Sequence, residues 1–243
     1  MGMNRDEQKI RPAALPPEIF KRGDAQAIYP REAGGGAWIA CSCYGNVFAL
    51  LNWYSADIDA LGPKIRTRGE LIPTLVYELD SRSTANRLAR IDLAGLHPFR
   101  LVSAFRGERI VCEWRWEGKR LDCLRFGWGL KHWFSSSLSD PSAAQLRGRT
   151  CAVAILDGTT PTRQWLRRLH KSHDPEPGPY SICVHRPDAA TVSYTQVQIT
   201  PRHIFMDYVA GPPCETPSCG RAISIPFRAK PLLTVGSSPS LIR

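Results

Sequence analysis

Residues 34–53, Gly-Gly-Gly-Ala-Trp-Ile-Ala-Cys-Ser-Cys-Tyr-Gly-Asn-Val-Phe-Ala-Leu-Leu-Asn-Trp, constrain the fold more than any other stretch. Two apolar runs, Ala37–Cys43 and Val47–Leu51, flank Tyr44-Gly45-Asn46, a turn signal. That pattern predicts a β-hairpin buried on at least one face. A second block repeats the theme. Phe99–Arg106, Arg109–Trp116 and Lys119–Phe126 read as an antiparallel meander, with Ile110, Cys112, Trp114 and Trp116 on one face and Glu117-Gly118 at a turn. A third set of strands is expected at Tyr180–Arg186, Thr191–Thr200 and Arg202–Val209.

Helices fall between these blocks. One is expected over Arg68–Leu79, with Thr67 as N-cap and Glu70 completing a capping box, and with Pro73 uncomfortable beyond the first turn. Others are expected at Thr84–Leu93, 141–155 and 161–170, with His132–Leu138 a short strand or loop. Residues 8–33, with Pro12, Pro16 and Pro17, read as extended and loop-rich. Antiparallel strands with helices segregated into blocks define an α+β class. The domain is expected to span 1–210. A Pro/Ser/Gly-rich tail over 211–243 is expected to be ordered chiefly at Ala222–Phe227.

Charge opens several partner classes and composition narrows them. The net charge of +10, from 32 Lys and Arg against 22 acids, suits nucleic acid, an anionic membrane surface or an anionic small molecule. The basic residues are scattered. The densest group, 163–171, places Trp165, Leu166 and Leu169 toward a core at helical spacing and its cations toward solvent. No helix-turn-helix, zinc finger or aromatic RNA-binding signature appears, so a nucleic-acid partner is not expected. The apolar stretches, such as Cys151–Leu156, are too short for a bilayer span. With no signal-like start, a cytoplasmic location is expected. Oligomeric state is not legible.

The eight cysteines read as thiols of a reducing compartment. Cys214 and Cys219 flank a Pro-containing loop that needs two further ligands to hold a metal. The candidates His170, His173, Cys183 and His185 lack the spacing of a zinc motif. No metal and no cofactor is therefore assigned.

Four stretches occur in order: Asn4-Arg5-Asp6-Glu7 with Arg11-Pro12; Gly34–Ala40; Leu50–Trp53; and Thr67-Arg68-Gly69-Glu70-Leu71. Together they resemble the NRDE family, also called the transport and Golgi organisation type 2 family. Weaker similarity runs through Trp133–Asp140 and Ile182–Val197. That family is similar in turn to N-terminal-nucleophile hydrolases of linear amides, such as the choloylglycine and penicillin-V hydrolase group. The resemblance implies an αββα four-layer sandwich. It also implies a mature N-terminal Cys that attacks an amide carbonyl, with its own α-amine as base.

Carried over residue by residue, Asp6 matches the Asp beside that amine and Asn52 an Asn near the oxyanion. Arg5 and Arg68 belong to motif positions assigned to substrate binding or structure. Trp38 joins them as a pocket residue, with Trp53, Trp114 and Trp133 as further aromatic candidates. Plainer readings stand beside these. Asp6 can cap a turn against Arg5 or Arg11, Asn52 can end a strand, and Gly34–Gly36 suits close packing of strands in place of phosphate binding.

The departures from the family pattern matter. Family members open with Met-Cys and a hairpin whose second strand ends in NRDE; here that hairpin, about 12–15 residues by usual strand lengths, is absent. The expectation is an upstream start. As written the chain lacks the N-terminal Cys, and Ser135-Ser136-Ser137 stand where the hydrolases carry an Asn. Two functions are therefore carried forward: an amide hydrolase whose nucleophile lies outside this sequence, and a non-enzymatic binder of an anionic hydrophobic ligand such as haem, an acyl-CoA or a lipid.

Overall fold

The computed structural model describes residues 1–56, 66–158, 161–217 and 222–229. Its strands run β1 (Gly2–Gln8), β2 (Leu15–Arg22), β3 (Ala25–Arg31), β4 (Ile39–Ser42), β5 (Asn46–Asn52), β6 (Phe99–Phe105), β7 (Ile110–Trp116), β8 (Leu121–Gly127), β9 (Ala189–Ile199), β10 (His203–Ala210) and β11 (Ile223–Pro226). Among the described residues four α-helices accompany them: α1 (Leu71–Leu75), α2 (Ser81–Leu88), α3 (Asp140–Leu156) and α4 (Arg163–His170). The class is mixed α+β, with two antiparallel sheets. One holds seven strands in simple sequence order, β2 to β8; the other holds four in the order β1-β9-β10-β11.

Side-chain alternation builds a separate core on each face of the larger sheet. On one face Tyr29, Ala40, Phe48, Leu50, Leu101, Phe105 and Trp114 pack with Leu71, Ile72 and Leu75 of α1 and Leu88 of α2. On the other, Ile28, Ile39, Cys41 and Val47 pack with Val197, Ile204, Met206 and Ile225 of the smaller sheet. The strands β3 to β5 are thus apolar on both sides because both sides are covered. Helix α4 lies on the far face of the smaller sheet. The His170 ring packs on Tyr194, with centroids 4.9 Å apart, and Gln196 Nε2 donates to the Arg163 carbonyl at 3.2 Å.

The expected hairpin at 37–51 is β4–β5, with Gly45 at φ +75° in its turn. The meander and the last two C-terminal strands also match closely.

Three expectations are corrected. The loop-rich stretch 8–33 contains the hairpin β2–β3, turned at Gly23 with φ +56°. Pro16 and Pro17 are tolerated because β2 is the sheet edge and the register shifts between Leu15 and Glu18, where no ladder bond from a proline nitrogen is needed. The helix over Arg68–Leu79 shrinks to a 3-10 turn, Arg68–Glu70, followed by α1; Thr67 Oγ1 does accept from Gly69 N at 3.3 Å. Finally, Tyr180–Arg186 is not a strand. Its backbone donors turn elsewhere: Cys183 N to Ser172 O, His185 N to Gly178 O, and Val184 N to Thr191 Oγ1.

The two sheets differ in width, and this positions the site. At about 4.8 Å per strand, four strands cannot cover seven. The strands β10 and β11 pack over β2, β3 and β4, so β1 is the edge of the smaller sheet and the inner face of β5–β7 runs on beyond it. No helix among the described residues is long and apolar enough to cross a membrane.

Candidate functional site

The uncovered part of the larger sheet opens into a cavity of about 580 Å³. Ala49, Leu51, Val102, Ala104 and Val111 form its floor, and β1 forms one wall. Residues 128–135, which include Lys131 and His132, and the apolar side chains of Cys151, Ile155, Trp165, Leu166 and Leu169 complete the enclosure. Its size lies in the usual range for small-molecule sites.

The tetrapeptide Asn4–Glu7 lines this cavity along β1, and strand alternation sends its side chains to two sides. Asn4 and Asp6 bind the segments around α3 and α4. The Asn4 amide donates to the carbonyls of His170, at 3.0 Å, and Ile182, at 2.8 Å. An Asp6 oxygen accepts from Thr191 Oγ1 at 2.6 Å, and Arg147 lies 3.7 Å from the carboxylate. Burial pushes the Asp6 carboxyl up from its ordinary range, opposed by the Arg147 guanidinium and the Thr191 hydroxyl. Arg5 and Glu7 instead face the loop before β4. Arg5 is buried, pairs with Glu32 at 2.8 Å and Glu7 at 3.2 Å, and lies 4.6 Å over the Trp38 ring. Arg11 adds bonds to the same two carboxylates.

Asp6, Asn52, Arg5, Trp38 and Arg68, the five residues singled out from sequence, all line this one cavity. Their bonding differs. Asn52, at the end of β5, donates to the Tyr54 hydroxyl at 2.7 Å. Arg68 is half-buried and donates to the Pro98 carbonyl at 3.0 Å. Among the described residues it has no ion-pair partner within 4 Å, and burial lowers its guanidinium from the ordinary value. Of the further aromatic candidates, Trp133 lines the cavity, whereas Trp114 is buried in the opposite core with α1 and α2. Trp53 lies outside the lining, with Arg115 6.0 Å from its ring.

Sequence reasoning missed three contributors. His170 sits against Gly2, and its Nδ1 lies 3.1 Å from Asn4 Oδ1. Since both Asn4 donors are engaged, that oxygen is the acceptor and Nδ1 carries the hydrogen. Burial drops the His170 pKa to about 3, so the ring is neutral. Arg147, a buried cation on α3, donates to Ser135 O and Pro179 O. Asp140 accepts from the backbone of Tyr54, Ser55 and Ser136 and so ties the end of β5 to the start of α3. Nothing local in the sequence marks these three, because their partners lie far along the chain.

The glycine motifs pack against one another. A Cβ on Gly69 would stand 2.8 Å from the Gly36 Cα, and Gly69 O accepts from Ala37 N at 3.0 Å. That close approach carries Trp38 and Arg68 to the same wall.

No curated protein matches the chain. Residues 1–121 match the family described as Transport and Golgi organisation 2, and the chain belongs to that family.

Proposed function

We propose that the chain binds a small amphipathic molecule in this cavity, an apolar body with a carboxylate or similar anionic head, and that Arg68 receives the head. The carrying observation is the state of Arg68. A guanidinium lining the cavity, desolvated and, among the described residues, bonded to the Pro98 carbonyl with no ion-pair partner within 4 Å, is costly unless an anion completes its shell. Arg5, Arg11 and Arg147 are already engaged by Glu7, Glu32 and Asp6. Trp38, Trp133, Trp165 and Leu166 suit an acyl chain or a ring system. Haem, an acyl-CoA and a free lipid share that chemistry.

Dodecanoate titrated into the full chain should give saturable, one-site quenching of tryptophan fluorescence. Dodecanol should bind about tenfold more weakly, the value of one charge-assisted hydrogen bond. Arg68→Met should remove that preference. Equal affinity for acid and alcohol would overturn the assignment to Arg68, and no binding of either would overturn the carrier reading.

A second reading, hydrolysis of linear amides, is supported by the presence of Asp6 and Asn52 in the same cavity. The stacking of α1 and α2, two sheets and α4 fits the αββα arrangement of the N-terminal-nucleophile hydrolases. Against it, the thiol among the described lining residues is Cys151, and burial pushes it up to about 11. It is a thiol at neutral pH and a poor nucleophile. Turnover of simple amides or acyl-homoserine lactones, abolished by Asp6→Asn and by Asn52→Ala, would favour this reading over the first. The free cysteines among the described residues support a reducing compartment such as the cytoplasm.

A further inference from the structure

Away from the cavity, four metal-ligating side chains from three separate segments converge. They are His173, in the loop after α4, Cys183 and His185, in the irregular segment before β9, and Cys214, in the turn after β10. Their donor atoms all lie within 4.8 Å of one another. The two Nε2 atoms are 3.1 Å apart and the two Sγ atoms 3.5 Å; His185 Nε2 lies 3.3 Å from Cys214 Sγ and 3.8 Å from Cys183 Sγ.

From these distances we infer a structural zinc site with Cys183, Cys214, His173 and His185 as its four ligands. Zinc bonds of about 2.3 Å to sulfur and about 2.0 Å to nitrogen, arranged tetrahedrally, set ligand–ligand distances of about 3.8 Å for S–S, about 3.5 Å for S–N and about 3.3 Å for N–N. The four spacings above fall within a few tenths of an ångström of these values, and the His173 nitrogen lies within 4.8 Å of both sulfurs. A disulfide does not account for the cluster, because it needs its sulfurs about 2.05 Å apart, and both cysteines are free.

The scaffold is built to hold this arrangement. Cys183 and His185 lie two apart in the irregular segment before β9, and its path brings both donor atoms to the cluster. Their backbone is pinned by bonds to Ser172 O, Gly178 O and Thr191 Oγ1. Cys214 stands in a tight turn in which Glu215 N and Thr216 N both donate to Pro212 O. Glu215 places a carboxylate 4.0 Å from His185 Nδ1, the ring nitrogen not facing the cluster, as is common around zinc-bound imidazole.

Two sulfurs and two imidazole nitrogens in a tetrahedron select zinc over magnesium or calcium, and four protein ligands leave no open position for catalysis. Binding Zn²⁺ releases the two thiol protons and leaves a neutral centre. Its effect is mechanical. It ties the turn after β10 to the segment carrying Ile182, whose carbonyl receives Asn4 and whose side chain lines the cavity.

The spacing H-x9-C-x-H-x28-C matches no finger pattern, which is why the sequence concealed it. Of the pair first considered, Cys214 joins this cluster, and Cys219 lies outside the described residues.

The test uses the full chain, purified under reducing conditions from zinc-supplemented cells. One zinc per chain is expected by elemental analysis. Exchange into cobalt(II) should give the intense visible bands of a tetrahedral ion and a thiolate charge-transfer band. Cys214→Ser and His173→Gln should each lose those bands, whereas Cys123→Ser, at an exposed cysteine away from the cluster, should retain them. Trace zinc with no cobalt bands in the unaltered chain would overturn the site. So would undiminished bands in both ligand variants, or an intact mass lower by two hydrogens that maps to a Cys183–Cys214 disulfide.

Discussion

Asn4 shows how much one side chain of the opening motif carries. Its amide serves two carbonyls from distant segments, and its oxygen sets the tautomer of His170. Replacing it with Leu keeps the branched shape and strands both carbonyls. A loss of about 2–4 kcal/mol in urea unfolding is expected, from about 1–3 kcal/mol per buried unsatisfied group.

His170 adds a pH dependence at the same scale. Its folded pKa, about 3, lies below the ordinary 6.5, so the unfolded chain binds the proton more readily between those values. The stability it contributes is complete above pH 6.5 and is lost as pH falls toward 3. The slope should approach about 1.4 kcal/mol per pH unit. His170→Gln should flatten that slope in urea titrations from pH 4 to 7, and an unchanged slope would refute the assignment. Asp6, with its carboxyl pushed up, acts in the opposite sense: its folded form holds the proton longer, so it favours folding at acid pH and loses that contribution as pH rises.

At the scale of elements, the two glycine motifs form one contact between the loop before β4 and the 3-10 turn before α1. Gly69→Ala drives a Cβ to 2.8 Å from backbone, which cannot yield as a flexible side chain would. A loss of about 1–3 kcal/mol is expected, as for other overpacked sites, measured by thermal unfolding. Gly34→Ala is the matched control, since nothing lies within 4 Å of its added Cβ, and its Tm should stay within experimental scatter. The β2–β3 hairpin teaches the reverse lesson. Prolines that read as loop in the chain are admissible on an edge strand, and edge status is settled by which strands pair.

For the whole molecule, the mismatch of seven strands against four is the source of the cavity. Filling it from its floor should separate binding from folding. Ala104→Phe is expected to leave the unfolding midpoint nearly unchanged or raised, because it adds apolar contact in an unfilled space, and to abolish dodecanoate binding. Phe48→Ala, on the opposite face in the core with α1 and α2, should do the opposite. It should cost about 3–5 kcal/mol and leave the affinity of the folded fraction intact. Binding retained in Ala104→Phe would mean the ligand sits elsewhere.

The strands β4 to β10 and the α+β class were legible in the sequence, because period-two alternation and turn glycines are local signals; Arg5, Asp6, Trp38, Asn52 and Arg68 were singled out through the family resemblance of the ordered motifs, and they lie along one cavity. Tertiary structure alone decided which sheet face each strand covers, how far the smaller sheet extends, and therefore that a cavity exists beside β1. It alone brought His170 to Asn4, Arg147 to Asp6, and His173, Cys183, His185 and Cys214 to one point. Those are contacts across long sequence separations, set by strand pairing and packing, and no local pattern of residues encodes their distances.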